Sequence, residues 1–187
     1  MAIKLLGISG SARLASYNTQ FLTYSLAEAE KLGAETSLFD VRANRIPLFD
    51  QDDEAENGFS ESVLALKKAV READAVLFAS PEYNSSFSPL AKSIIDWGSR
   101  SNKEGEKNEW SGKVVGLIAA SPGAFGGIRG LMQVRQVFTA VGSLVIPQET
   151  SLGRAFDGFD ESGALKDERT AGFLRAQLSE LLRLAGS

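Results

Sequence analysis

The chain predicts an α/β fold: a three-layer sandwich around a five-stranded parallel sheet of order 2-1-3-4-5. Three observations lead there. Five short apolar runs alternate with longer amphipathic stretches along the 187 residues. The runs are rich in Val, Ile, Leu and Ala with little polar alternation, as in strands covered on both faces. Strict alternation of the two kinds of segment implies parallel strands joined by right-handed crossovers, and 2-1-3-4-5 is a common order for such a sheet.

The first strand is read over 3–8, the run Ile3-Lys-Leu-Leu-Gly-Ile8. A helix follows from about Ser16 to Leu32. Phe21, Leu22, Leu26 and Ala29 fall on one of its faces, and Gly33 is a C-terminal stop. The second strand is 35–39. Residues 40–59 read as a long acidic loop carrying Asp50, Asp52, Asp53, Glu54 and Glu56. A loop of that length is a lid, an interface or disordered, and its charge alone marks a solvated surface. A second helix spans about Ser60 to Ala73, and the third strand 74–79. The next helix opens at Ser88-Pro89, a serine cap with proline in the first helical position, and ends near Arg100. A polar loop at 101–112 precedes the fourth strand, 113–120. A helix from about Ile128 to Val141 stops at Gly142, and the fifth strand is 143–147. The last helix, about Asp167 to Leu184, stacks Ala171, Leu174, Leu178, Leu181 and Leu182. No repeat, low-complexity segment or linker divides the chain, so one domain is expected over 1–187.

Composition narrows the function. Net charge is −4, with both signs interspersed and none of the basic patches of a nucleic-acid binder. No apolar run approaches the roughly 18 residues of a membrane span. No charged-then-apolar leader opens the chain, so a cytoplasmic location is expected. The chain has no cysteine and no histidine. Thiolate nucleophiles, Fe–S clusters, the Ser-His-Asp triad and most transition-metal sites are therefore ruled out. Electron transfer by this chain requires a cofactor.

In a doubly wound sheet, ligands bind beyond the carboxyl ends of the strands. Three unusual loops fall there. After strand 1 comes Gly10-Ser-Ala-Arg-Leu-Ala-Ser-Tyr-Asn18. Ser11, Ser16 and Asn18 offer side-chain donors and Arg13 a charge, beside the positive end of a helix. The loop suits a phosphate. It is neither G-x-x-x-x-G-K-[ST] nor G-x-G-x-x-G; an ordinary strand–turn–helix link with a serine cap is the alternative. After strand 3 comes Ser80-Pro-Glu-Tyr-Asn-Ser-Ser-Phe-Ser-Pro89. Its Tyr83 ring, amides and proline-fixed backbone suit the edge of a flat heterocycle, or a turn with a packed tyrosine. After strand 4 comes Ser121-Pro-Gly-Ala-Phe-Gly-Gly-Ile-Arg129. Gly123, Gly126 and Gly127 let backbone approach a ring closely, or form a plain glycine turn. In the expected order all three loops share one rim. A phosphate pocket beside a slot for a flat polar ring describes a flavin mononucleotide site.

These residues resemble the NADPH-dependent FMN reductase family, flavodoxin-like flavoproteins that include quinone, chromate and azo-dye reductases. The likeness runs from Lys4 to about Glu149. Its motifs are G-S-x-R-x-x-S-x-N at Gly10–Asn18, P-E-Y-N at Pro81–Asn84 with Ile95-Asp96-Trp97 after it, and S-x-G-x-x-G-G-x-R at Ser121–Arg129. The resemblance implies non-covalent FMN with Ser11, Arg13, Ser16 and Asn18 on the phosphate. It places Pro81, Glu82, Tyr83 and Asn84 along the isoalloxazine ring, with Ser121, Gly123 and Gly126 closing the other side. Two positions depart from the family pattern: Ser85 stands where glycine is usual and Ser93 where asparagine is usual. They leave the phosphate loop intact and bear on substrate preference.

The activity implied is a ping-pong one. NADPH or NADH passes a hydride to the flavin, and a quinone, chromate, azo compound or similar small acceptor then takes the electrons. Hydride transfer needs no carboxylic acid, so Glu82 is expected to be structural or to touch the ribityl chain, and no side chain is expected to be catalytic. Lys92 is expected to snorkel along its helix, or to steer an anion. Arg100 and Arg129 are expected either to pair across subunits or to be plain surface charges. Asp96 and Trp97 are expected in the framework or an interface. The family's dimers and tetramers imply a homodimer or homotetramer, with 40–59 on an oligomer face. The alternative is a flavodoxin-like electron carrier, or a redox-responsive FMN-binding protein, without direct NAD(P)H turnover. Arg13 and the glycine-rich third loop favour the reductase.

Overall fold

The computed structural model describes residues 2–187. Strand β1 (Lys4–Ser9) leads into helix α1 (Tyr17–Lys31), then β2 (Glu35–Phe39), α2 (Gln51–Asn57) and α3 (Glu61–Glu72). Strand β3 (Ala75–Ala79) is followed by a small hairpin, β4 (Glu82–Tyr83) and β5 (Ser86–Phe87), and by α4 (Pro89–Ser99). The chain ends with β6 (Val114–Ala120), α5 (Ile128–Ala140), β7 (Leu144–Leu152) and α6 (Glu168–Ala185). The main sheet has the order β2-β1-β3-β6-β7, all parallel. Setting aside the hairpin, that is the expected 2-1-3-4-5.

The sheet is buried because its pleat sends apolar side chains both ways. Leu6, Ile8, Val76, Phe78, Val115 and Leu117 meet α3, α4 and α5 on one face. Leu5, Ala75, Leu77, Ala79, Val114 and Ile118 meet α1 and α6 on the other. From α1 come Phe21, Leu22, Leu26 and Ala29, the face expected from their spacing. Each such fully buried large aliphatic or aromatic side chain contributes about 1.5–3 kcal/mol. Among the described residues no helix is long and apolar enough to cross a membrane.

Two stretches differ from the sequence reading. The 40–59 segment is not loop throughout, because α2 sits inside it. Asp50 caps α2 by accepting the N–H groups of Asp52 and Asp53, and Gly58 at φ 69° ends it. Acidic residues in the first turn favour so short a helix, but seven residues leave little periodicity to read. Strand β7 runs to Leu152, five residues past the expected end. Pro147 is tolerated inside it because β7 is an edge strand. The β6–β7 register shifts between Val115 and Leu117. Across the shift Arg135 donates to the carbonyls of Val145, Ile146 and Pro147 while pairing with Glu149 at 2.6 Å. That side chain supplies donors where the ladder is irregular.

Lysine in the core is a further surprise. Lys67 of α3 is fully buried, and its ammonium donates to the carbonyls of Gly98, Arg100 and Lys107. One charged group thus fastens the start of the 101–112 segment to α3. Desolvation holds its pKa below the usual lysine value. Trp110 anchors the far end of the segment, with Nε1 donating to Ile95 O at 2.9 Å.

Candidate functional site

The site is built from the three loops at the carboxyl ends of β1, β3 and β6, called loops 1, 2 and 3. Loop 1 turns sharply off β1. Gly10 donates to Ala79 O, and its Cα lies so close to α4 that a Cβ would come within 2.8 Å of Ala91 Cβ. Ser88, the N-cap of α4, accepts the Ala91 N–H and donates its hydroxyl to Gly10 O at 2.6 Å. Loops 1 and 2 are thereby tied at their bases. Ser16 caps α1 by accepting the Thr19 N–H at 3.2 Å. Behind the loop, Ser9 Oγ accepts both the Ser11 N–H and the Thr19 hydroxyl. Ser9 and Thr19 were not picked out from sequence; Thr19 lies just past the motif and Ser9 reads as a strand end.

Asn18 ties loop 1 to loop 3. Its Nδ2 donates to Ala120 O and its Oδ1 accepts Ala120 N–H, both at 2.9 Å. Half of its hydrogen-bonding capacity is therefore spent on the protein, which leaves one Nδ2 hydrogen and one Oδ1 lone pair for a ligand. Loop 2 forms the β4–β5 hairpin, with Asn84 at φ 52° and Ser85 at φ 65°. Two left-handed residues make the tight hairpin turn that favours Asn-Gly. The glycine usual at position 85 thus has a backbone reason, and Ser85 adopts the same conformation under strain. In loop 3, Gly126 (φ 62°) and Gly127 (φ 94°) pack against protein. A Cβ would meet Gly153 N at 2.8 Å and Ala119 Cβ at 2.9 Å respectively. Their spacing serves the docking of loop 3 onto β7 and β6, a cause distinct from approach to a ring.

Glu82 is held by the protein itself. Its side chain is 7% exposed and pairs with Arg129. Its second carboxylate oxygen accepts the N–H groups of Arg129 at 3.1 Å and Gly130 at 3.2 Å. The N-cap of α5, Gly127, has no side chain to do this, so Glu82 caps the helix from loop 2. Burial pushes its pKa up, but the Arg129 guanidinium and the helix N–H groups outweigh burial and hold it below the usual carboxylate range. Arg129 and Arg100 both find partners inside the chain, Arg100 on Glu54 at 2.8 Å. Intersubunit pairing is not needed to explain either. Lys92 pairs with Asp96 at 2.6 Å one turn along α4, and buried Trp97 donates to Pro47 O. Ser93 Oγ accepts the Phe49 N–H at 3.4 Å.

A cavity of about 70 Å³ lies where the loops converge. Ser11, Arg13, Ser16 and Asn18 line it from loop 1, Pro81, Glu82 and Tyr83 from loop 2, and Ser121 from loop 3. Asn84, Gly123 and Gly126 lie outside it; Tyr17, Ala120 and Pro122 line it without having been singled out. Ser121 Oγ accepts the Gly123 N–H. Arg13 forms no ion pair or hydrogen bond among the described residues, so its charge is free at the cavity's edge. A wider groove of about 910 Å³ along the outside of α1 shares Arg13, Ser16 and Tyr17, but no residue of loops 2 or 3. The space is small, polar and ringed by hydroxyls, a helix N-terminus and a cation. It fits a phosphate group.

The family model for NADPH-dependent FMN reductases matches residues 3–157. This chain belongs to that family. It is 38% identical over 181 residues to an NAD(P)H-dependent FMN reductase of Pseudomonas aeruginosa, covering 96% of this chain and 93% of that protein. An NAD(P)H:quinone oxidoreductase of Solanum tuberosum is 35% identical over 188 residues, covering 98% and 93%. Among solved structures, FerB, a flavoenzyme NAD(P)H:(acceptor) oxidoreductase from Paracoccus denitrificans, superposes with a TM-score of 0.84 at 27% identity, covering 99% of this chain and 98% of that one. The chain is an oxidoreductase of this FMN- and NAD(P)H-using, flavodoxin-like family.

Proposed function

We propose that the protein moves electrons from NAD(P)H to a quinone or similar small acceptor, chromate or an azo compound included, by a ping-pong cycle at the three-loop site. The observation that carries the reading is the convergence of loops 1, 2 and 3 on one phosphate-sized cavity with an unpaired arginine at its edge. The quinone choice draws on the name of the potato relative. Ser11, Arg13, Ser16 and the first N–H groups of α1 hold the FMN phosphate, with the remaining Asn18 hydrogen beside them. Pro81–Asn84 flank the ring on one side, and Ser121, Gly123 and Gly126 on the other. FMN supplies the hydride-accepting chemistry that a chain without histidine or cysteine lacks.

The protein's part is to position and to exclude water, not to transfer protons. Glu82, the carboxylate nearest the slot, is committed to Arg129 and α5. Self-association into a homodimer or homotetramer belongs to the same proposal, with the 40–59 segment and its 74% exposed Leu48 on the contact face.

The test is anaerobic titration of the purified protein, loaded with FMN, with NADPH. Rapid bleaching of the flavin bands, their return on adding a quinone, and parallel lines in initial-rate plots support the proposal. Bands that persist after NADPH would make the protein an electron carrier or flavin-binding protein. Arg13→Ala should weaken FMN binding by about 1.5–3 kcal/mol, the worth of a charged hydrogen bond. Unchanged affinity in a flavin titration removes Arg13 from the site.

A further inference from the structure

The loop 2 hairpin rests along helix α5, which begins where loop 3 ends. Arg129 and Gln133, one turn apart, share a face of that helix. Arg129 holds the base of the hairpin through Glu82. Gln133 holds its tip. Its Nε2 donates to Ser85 O, and its Oε1 accepts the Ser86 hydroxyl, both at 2.6 Å. Gly130 lies between the two, and a Cβ there would meet Ser86 O at 3.2 Å and Glu82 Cα at 3.4 Å. The hairpin backbone is thus seated directly on the helix backbone. Loops 2 and 3, the two walls of the slot, share one support.

The tip is where the chain departs from the family pattern. Asn84 and Ser85 both have positive φ. Asparagine tolerates the left-handed region and glycine is indifferent to it, but serine is not. Ser85 stands where glycine is usual, so this hairpin carries a strain that the pattern avoids. A strained turn persists only where its surroundings over-determine it. The hairpin cannot do so alone, because it has only two paired positions, Glu82 with Phe87 and Tyr83 with Ser86. Phe87 packs against the core and anchors the return strand. Among the described residues, Gln133 supplies the only side-chain hydrogen bonds from another element to residues 84–86.

We propose that Gln133 is a positioning residue of the flavin slot. It holds Ser85 in the left-handed region and so fixes the wall that Pro81–Asn84 present to the ring. The clamp does for serine what a glycine at the same position would do unaided. The inference rests on the flavin reading above and adds to it a residue from outside the three loops. Flavin binds the protein only when the hairpin is in place, so loosening the tip lowers the competent fraction and weakens binding by the same factor. The strain of one left-handed serine is worth about a factor of ten in that fraction.

The test is a double-mutant cycle between positions 133 and 85. Gln133→Met keeps the bulk of the side chain and loses both hydrogen bonds. In the flavin-free protein it should speed amide exchange in a peptide spanning 82–87 about tenfold, read by mass spectrometry. Titration of flavin fluorescence should show FMN binding about tenfold more weakly. In a Ser85→Gly background the same substitution should change each quantity by less than about threefold, because glycine needs no clamp. Gln133→Glu keeps an acceptor for Ser86 but sets a carboxylate against Ser85 O, and should be no better than Gln133→Met; it carries the cycle if the methionine variant fails to fold. A side chain that merely stabilised α5 would cost the same in both backgrounds. Equal losses in the two backgrounds, or hairpin exchange unmoved by Gln133→Met, overturn the inference. If the wild-type protein binds no FMN, the functional proposal fails instead, and the exchange of the hairpin amides still decides whether Gln133 holds the tip.

Discussion

Replacing Asn18 by alanine separates two roles that the sequence motif leaves merged. The side chain is 5% exposed and makes two 2.9 Å hydrogen bonds to Ala120, one to its N–H and one to its carbonyl. Alanine strands both backbone groups at the end of β6. An unsatisfied buried donor or acceptor costs about 1–3 kcal/mol. The carbonyl keeps a second lone pair and some relaxation is available, so the expected loss is about 2–4 kcal/mol. With a urea slope of about 2 kcal/mol per molar, the midpoint should fall by about 1–2 M. The melting temperature should fall by about 10 °C, at 2–4 °C per kcal/mol for a domain of this size. The measurement belongs on flavin-free protein, because bound cofactor adds its own stabilisation. Asn18→Asp keeps the acceptor for Ala120 N–H but loses the donor and buries a charge, so it should be no more stable than the alanine variant. A flavin-free Asn18→Ala protein with an unchanged midpoint and weakened FMN binding would refute the reasoning. Asn18 would then be a ligand, and the link between loops 1 and 3 energetically idle.

Three further outcomes are expected. Ser85→Gly relieves a non-glycine residue at φ 65° and should raise stability by about 1 kcal/mol, read as a rise of about 2–4 °C in melting temperature. Glu82 has a folded pKa below its ordinary value of 4.5. Its contribution to stability is therefore full above that value and lost as pH falls through the lower folded pKa. Urea melts of wild type and Glu82→Gln should differ by a constant amount between pH 6 and 8 and converge in acid. Lys67→Met leaves the carbonyls of Gly98, Arg100 and Lys107 without their shared donor and should cost about 3 kcal/mol at pH 7. Desolvation lowers the folded pKa of Lys67 from its ordinary 10.5, so the unfolded chain holds that proton longer. Wild-type stability should accordingly gain on the variant as pH rises through the interval between the two values.

The sheet order was legible because the central strands β1, β3 and β6 are near-continuous apolar runs, separated by stretches of helical period. Phe21, Leu22, Leu26 and Ala29 needed no tertiary information to be assigned to the core. The convergence of the loops followed from the order itself. What could not be read depends on partners distant in sequence. Asn18 looks like any donor in a polar loop until Ala120, 102 residues away, is beside it. Glu82 looks like an acid beside a ring until the bare N-terminus of α5 is placed against it. Lys67 reads as an exposed position in an amphipathic helix, and only the fold shows three carbonyls closing on it.

Helix α5 begins without a cap of its own and borrows one from Glu82, 46 positions before Ile128. The Gly130 amide also donates to the Gly127 carbonyl at 3.1 Å, but that of Arg129 is sheltered by a residue in another loop alone, so its exchange with solvent reports on the distance between loops 2 and 3. Any event that widens the slot should speed the exchange of this amide ahead of the rest of α5. It is a native reporter of slot opening, readable without a dye, a label or turnover.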